Sequence, residues 1–163
     1  MPIFEMPFAS PVGELTLVAS DQGLVAILWQ DDDPDRVRLS ARQVQPDHPI
    51  LVQAHAELTA YFAGERQSFS VPFDFRGTDF QKMVWTALRA IPFGETRSYG
   101  DIARMIGRPT ASRAVGAANG RNPISIMAPC HRVVGANGAL TGFAGGLETK
   151  SWLLDFERRT RKD

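Results

Sequence analysis

The chain has 163 residues, 44% hydrophobic and 22% charged, a balance that suits one or two small compact domains and excludes an intrinsically disordered chain. Formal net charge is zero, yet residues 1–78 carry eleven acidic and five basic side chains and residues 79–163 carry seven and thirteen, so the halves stand at −6 and +6 and the second is the one suited to phosphate. No cationic stretch precedes an apolar run near Met1, no run approaches ~18 apolar residues, and the single cysteine excludes an internal disulfide and a cysteine-type zinc site; the expectations are no signal peptide, no membrane span and a cytoplasmic location.

In chain order, Leu15, Leu17 and Ala19 alternate with polar neighbours, and Asp21-Gln22-Gly23 turns the chain into Leu24–Trp29, which predicts a β-hairpin over 13–29. Asp31-Asp32-Asp33-Pro34-Asp35 reads as a solvated acidic turn. From Pro49 to Phe62 the residues Ile50, Leu51, Ala54, Leu58, Tyr61 and Phe62 recur at helical spacing, with Gly64 as the stop. Ser68–Phe75 alternates again and is predicted as a third strand, and Arg76-Gly77 marks the boundary between an N-terminal α/β domain, 1–77, and a C-terminal domain, 78–163.

Thr78 and Gln81 have the spacing of a capping box, opening a helix with Phe80, Val84, Leu88 and Ile91 on its buried face and Pro92 and Gly94 at its end. Ser98 and Asp101 repeat the signal for a short helix through Ile106. Gly107-Arg108-Pro109 then turns the chain, and another helix starts at Thr110 or Ala111 and runs to about Asn119. Two short helices about a compact turn are a helix-turn-helix candidate. On the second, Ala114, Gly116, Ala117 and Ala118 leave a nearly bare surface with Arg113 projecting from it, suited equally to close approach by a ligand and to tight packing in a core. The predicted fold class is α+β: a small N-terminal antiparallel sheet with a helix, then a mainly helical, winged-helix-like domain containing the helix-turn-helix.

Cys130 lies in Pro129-Cys130-His131-Arg132-Val133. A lone cysteine is ordinarily a small buried hydrophobe, but imidazole and cationic neighbours are what lower a thiol pKa, so core filler and nucleophile both stand as readings. Under the second, His131 is the candidate base. Neighbouring residues seldom touch side chain to side chain, so a relay between the two runs through a water.

This pentapeptide follows Arg113-Ala114-Val115-Gly116-Ala117-Ala118-Asn119-Gly120-Arg121-Asn122-Pro123 and precedes Gly142-Phe143-Ala144-Gly145-Gly146-Leu147. In that order the segments resemble the alkylguanine-DNA alkyltransferases, or methylated-DNA–protein-cysteine methyltransferases, of the bacterial single-acceptor type. The resemblance is close from about Thr78 to Glu157 and faint before it. It implies a DNA repair protein that moves the alkyl group of O6-alkylguanine irreversibly onto its own Cys130, once per chain, and it leaves O4-alkylthymine open as a second substrate. The partner implied is double-stranded DNA with an alkylated guanine, bound by a monomer; no cofactor, metal or membrane is implied.

The resemblance also implies roles. Cys130 is nucleophile and acceptor, His131 its base through water, Glu157 the residue that orients His131, Tyr99 the proton donor to the base, and Asn122 a hinge between recognition helix and active-site loop. Arg113, with Ser112, Ala114, Gly116 and Ala117, meets the minor groove, and Arg113 fills the gap left by the extruded base. Ser125, Val133, Phe143 and Ala144 line the pocket. Phe143 stands where some relatives have tyrosine and Ser125 where certain members have proline, and both bear on alkyl size. Two rivals remain: a binding-only relative, which has another residue at the acceptor position, and a thiol hydrolase, which would turn over.

Overall fold

The computed structural model describes residues 2–161, and the chain falls into two compact units, one ending at Arg76 and the other beginning at Gly77. In the first, β1 (Ile3–Ser10), β2 (Gly13–Ala19) and β3 (Leu24–Trp29) form an antiparallel meander, and β4 (Arg42–Val44) adds beside β1 in parallel, giving the order β3-β2-β1-β4. The sheet is therefore mixed where a purely antiparallel one was expected. The predicted hairpin is β2–β3. Its outer neighbour β1 escapes the alternation rule because Pro7 interrupts it; β4 pairs only with Ile3–Glu5, so at Pro7 one flank of β1 is open and the missing N–H leaves no ladder bond unmade.

Helix α1 (Pro49–Phe62) has Pro49 in its first turn and His48 as N-cap, whose ring accepts from Ile50 N at 3.2 Å. Leu51, Ala54, Leu58 and Tyr61 form its buried stripe. Glu57 shares that stripe and accepts from Ser70 N (2.9 Å), Val71 N (3.1 Å), Ser70 Oγ (2.8 Å) and Gln53 Nε2 (2.9 Å). These bonds overturn the third strand predicted at Ser68–Phe75. The N–H groups of Ser70 and Val71 bond a side chain instead of a neighbouring strand, and Pro72 has none. Only one bridge remains, Leu24 to Phe73, made by Leu24 N to Pro72 O (2.8 Å) and Asp74 N to Leu24 O (2.7 Å).

In the second unit both capping boxes form, Thr78–Gln81 ahead of α2 (Asp79–Leu88) and Ser98–Asp101 ahead of α3 (Tyr99–Met105). Val84, Leu88 and Ile91 are buried as predicted, but Phe80 is only half-buried. Trp85 completes the α2 face, its Nε1 donating to Ala118 O of α4 (Ser112–Gly120) at 2.8 Å. Between α3 and α4, Gly107 takes φ +74°, the left-handed turn that favours glycine. A two-residue parallel ladder joins β5 (Arg97–Ser98) to β6 (Val133–Val134), and α5 (Leu147–Thr160) follows. No helix among the described residues is long and apolar enough to cross a membrane.

Candidate active site

The segment from Asn122 to Pro129 is wholly buried and has no helix or strand of its own. Asn122 supplies the missing order: its Nδ2 donates to Ala128 O at 2.8 Å, and its Oδ1 accepts from Ile124 N at 3.1 Å. The side chain thus spans the mouth of the loop. Inside it Ile126 adopts φ +74°, a conformation that costs a β-branched residue about 1–3 kcal/mol and persists only where the surroundings enforce it. The loop delivers Cys130 onto a single 3-10 turn, Cys130–Arg132, where it is nearly enclosed.

His131 is fully buried. One ring nitrogen, Nε2, lies 2.8 Å from Glu157 Oε2, and the other, Nδ1, has no protein partner. A carboxylate can only accept, so Nε2 carries the hydrogen and Nδ1 presents its lone pair. Burial pushes the imidazole below its ordinary pKa. The Glu157 carboxylate pulls it back without offsetting that, and the charges of Arg132 and Lys150 act in the same direction as burial. The ring is neutral near pH 7 and poised to accept a proton at Nδ1.

Glu157 is not the solvated glutamate that its neighbours Arg158 and Arg159 suggest; they are exposed while it is fully buried. Arg132 grips it with a fork, Nε to Oε1 at 2.7 Å and Nη2 to Oε2 at 2.9 Å, and donates Nη1 to Ile91 O at 2.7 Å. Burial alone would raise the carboxyl pKa, but His131 and Arg132 together hold it far below the usual carboxylate range. Arg132 therefore neutralises Glu157, which corrects the sequence reading of it as a cation next to the thiol. The cation coupled to Cys130 is Lys150, a residue that sequence reasoning passed over.

Lys150 is fully buried on α5, with Nζ donating to Val133 O at 2.6 Å and to Thr141 O at 3.3 Å. Its sequence signal was present: Lys150, Leu153, Leu154 and Glu157 fall at helical spacing on one buried face, and a lysine in an apolar stripe needs a reason. Tyr99 is half-buried and bonds through its hydroxyl to Thr141 Oγ1. Its ring lies beside Gly116 of α4, where an added Cβ would meet the ring at 3.8 Å.

The helix α4 has two faces. Ser112, Arg113, Ala114 and Ala117 are exposed, while Val115, Ala118 and Asn119 are buried, so Ala118 leaves the bare surface to which the sequence assigned it. Asn119, also passed over, donates Nδ2 to Cys130 O at 3.5 Å. A cleft of about 710 Å³ is walled by Ser98, Tyr99, Asp101, Ser112, Val134 and Gly135 among others, and Cys130 is not in its wall. Ser125 and Val133 are fully buried, Phe143 is half-buried with its ring edge-on to His131 at 6.5 Å, and Ala144 is exposed. The fold thus buries Cys130, His131 and Glu157, bonds His131 to Glu157, and connects Tyr99 to Lys150 through Thr141.

Residues 79–159 match the family described as 6-O-methylguanine DNA methyltransferase, DNA binding domain, and residues 4–75 match its ribonuclease-like domain. The chain is 49% identical to the methylated-DNA–protein-cysteine methyltransferase of Methanosarcina acetivorans, over 92% of this chain and 95% of that one. It is 51% identical to the protein of that name from Mycobacterium tuberculosis, over 91% and 88% respectively. Among solved structures, Mycobacterium tuberculosis OGT in complex with DNA superposes with a TM-score of 0.87 at 45% identity, covering 98% of this chain and 94% of that one.

Proposed function

This chain belongs to the 6-O-methylguanine-DNA methyltransferase family, and from that membership we propose that it repairs DNA by transferring the alkyl group of O6-alkylguanine to Cys130. The observation that carries the assignment is the unpartnered, buried Nδ1 of His131 beside the single cysteine, with Nε2 fixed on Glu157. A thiol of ordinary pKa is only a few per cent ionised at neutral pH, so a base must take its proton. His131 does so through a bridging water, and the imidazolium that forms is stabilised by the Glu157 carboxylate.

The thiolate attacks the alkyl carbon in line with the C–O6 bond. The S–C bond forms, the C–O6 bond breaks with its electron pair passing to the purine, and Tyr99 donates a proton to the departing ring. The product is a thioether with no carbonyl for water to attack, so each chain acts once and a hydrolase cycle is closed to it.

The target guanine is stacked in a duplex and must be rotated out, at about a few kcal/mol. The exposed face of α4 meets the minor groove, and Arg113 fills the gap in the stack. The basic unit from Gly77 onward carries DNA binding and the acceptor, and the chain acts as a cytoplasmic monomer. In the test, Cys130→Ser should bind duplex DNA containing O6-methylguanine as the wild type does and acquire no methyl group. Methyl transfer to that variant would refute the assignment.

A further inference from the structure

The most unusual side chain outside the Cys130–His131–Glu157 series is Lys150. A lysine at 0% exposure is rare unless it is paired, and no carboxylate among the described residues is hydrogen-bonded to this one. Two of its three donors meet carbonyl oxygens, of Val133 and Thr141, and a third, longer contact at 3.4 Å reaches Thr141 Oγ1. Thr141 Oγ1 in turn bonds Tyr99 Oη. A hydroxyl has a single hydrogen, so the direction of donation matters. An ammonium can only donate. Thr141 Oγ1 has two lone pairs and one hydrogen, so it can accept from Lys150 and still donate to Tyr99 Oη, and in that arrangement the phenolic hydrogen is free to point elsewhere.

Resting on the alkyl-transfer reading, we propose that Lys150 and Thr141 form a proton relay that drives Tyr99 as the acid for the departing base. As the S–C bond forms and the C–O6 bond breaks, the purine gains an electron pair. Tyr99 gives it the phenolic proton, Thr141 gives its hydroxyl proton to Tyr99, and Lys150 gives an ammonium proton to Thr141. Phenol and hydroxyl end unchanged, the guanine leaves neutral, and the charge lost by Lys150 equals the one gained by His131 when it took the thiol proton. Without the relay Tyr99 must end as a phenolate.

The electrostatics favour release at the right step. Burial pushes the Lys150 ammonium below its ordinary pKa and Cys130 pulls it up. The titratable groups that interact with it are Cys130 and His131. Alkylation converts the thiolate to a neutral thioether and removes that pull, while burial stays. Thr141 and Lys150 are positioning residues here, since both act through Tyr99.

The test compares two reactions of one thiol. Transfer from duplex O6-methylguanine needs a protonated leaving group; alkylation of Cys130 by iodoacetamide, which expels iodide, does not. Thr141→Val should slow single-turnover methyl transfer by about 10-fold or more, as for a weakened general acid, and leave the iodoacetamide rate within twofold. Thr141→Ser should restore transfer, and in a Tyr99→Phe background Thr141→Val should cost nothing further. Thr141 is half-buried, so Thr141→Ala provides a second hydroxyl-free variant that folds if valine is not accommodated. Wild-type transfer rates in the hydroxyl-free variants, equal losses in both reactions, or additive losses with Tyr99→Phe would each overturn the relay. A wild-type protein that takes no methyl from DNA would instead overturn the reading on which the relay rests.

Discussion

Replacing Glu157 with glutamine changes one oxygen to an amide and removes one charge, and the structure sets how much that should matter. Glu157 is fully buried and receives three hydrogen bonds, two from Arg132 and one from His131. The amide keeps one acceptor, turns an NH2 toward donors, and leaves the Arg132 guanidinium buried without a counter-charge. Breaking a buried pair by removing one partner costs about 3–5 kcal/mol. At roughly 2–4 °C per kcal/mol for a chain of this size, the melting temperature should fall by about 6–20 °C. The loss is a large share of the ~5–15 kcal/mol that holds typical domains together, so the variant should fold with a much reduced margin of stability.

The same change acts on the chemistry. Burial already depresses His131, and the carboxylate is the main influence opposing it; without it the imidazole becomes a weaker base and less thiolate forms. The assays are a thermal melt and single-turnover transfer from duplex O6-methylguanine between pH 6 and 9. A lower melting point and a slower rate, partly recovered at high pH, are expected. Adding Arg132→Met should return part of the lost stability, because the unpaired charge is gone, without returning the rate. A Glu157→Gln protein melting within about 2 °C of wild type would refute the buried-pair reasoning.

Four further outcomes are expected. In the wild type, His131 titrates below its ordinary 6.5, so the acid limb of the transfer rate should lie below that pH; stability tied to the neutral ring should be complete above 6.5 and fall as pH drops through the lowered value. Its alanine variant should transfer slowly at pH 7 and recover as pH approaches the thiol pKa; a flat profile would remove His131 as the base. Arg113→Ala should sharply slow repair of duplex DNA and leave transfer from free O6-methylguanine nearly unchanged, measured at fixed salt because the lost charge also weakens phosphate attraction; equal losses would return Arg113 to a supporting role. In the first unit, Glu57→Ala strands the buried N–H of Val71 and removes the partner of Ser70 N, and should cost about 1–3 kcal/mol in denaturant unfolding. Burial raises the Glu57 carboxyl pKa, but the bonds from Gln53, Ser70 and Val71 outweigh it and leave it below 4.5. Its contribution is therefore full above pH 4.5 and lost on acidification through the lowered value.

What the sequence made legible was local. The capping boxes at Thr78 and Ser98 are contacts three residues apart and form as read. The β2–β3 hairpin and α1 follow from apolar period, and Cys130-His131-Arg132 is contiguous. What escaped depends on partners far along the chain. Ser68–Phe75 has the alternation of a strand, but Glu57, thirteen residues earlier, takes its N–H groups. Arg42-Gln43-Val44 carries no apolar pattern because every side chain of β4 is exposed. Arg132 reads as a neighbour of Cys130 until the fold brings Glu157, twenty-five residues on, against its guanidinium. Lys150 differs: its place in the α5 stripe was visible, and only its partners were not.

The most direct measurement is the mass of the intact chain after incubation with a molar excess of duplex DNA containing O6-methylguanine, followed by mapping of the modified peptide. One methyl group per chain, confined to the peptide holding Cys130, with unmodified guanine restored in the DNA in the same amount and no further repair after the protein is consumed, is the expected result. Repaired guanine in excess of protein, an unchanged mass, or a methyl group on any other residue would contradict the assignment of Cys130 as the acceptor.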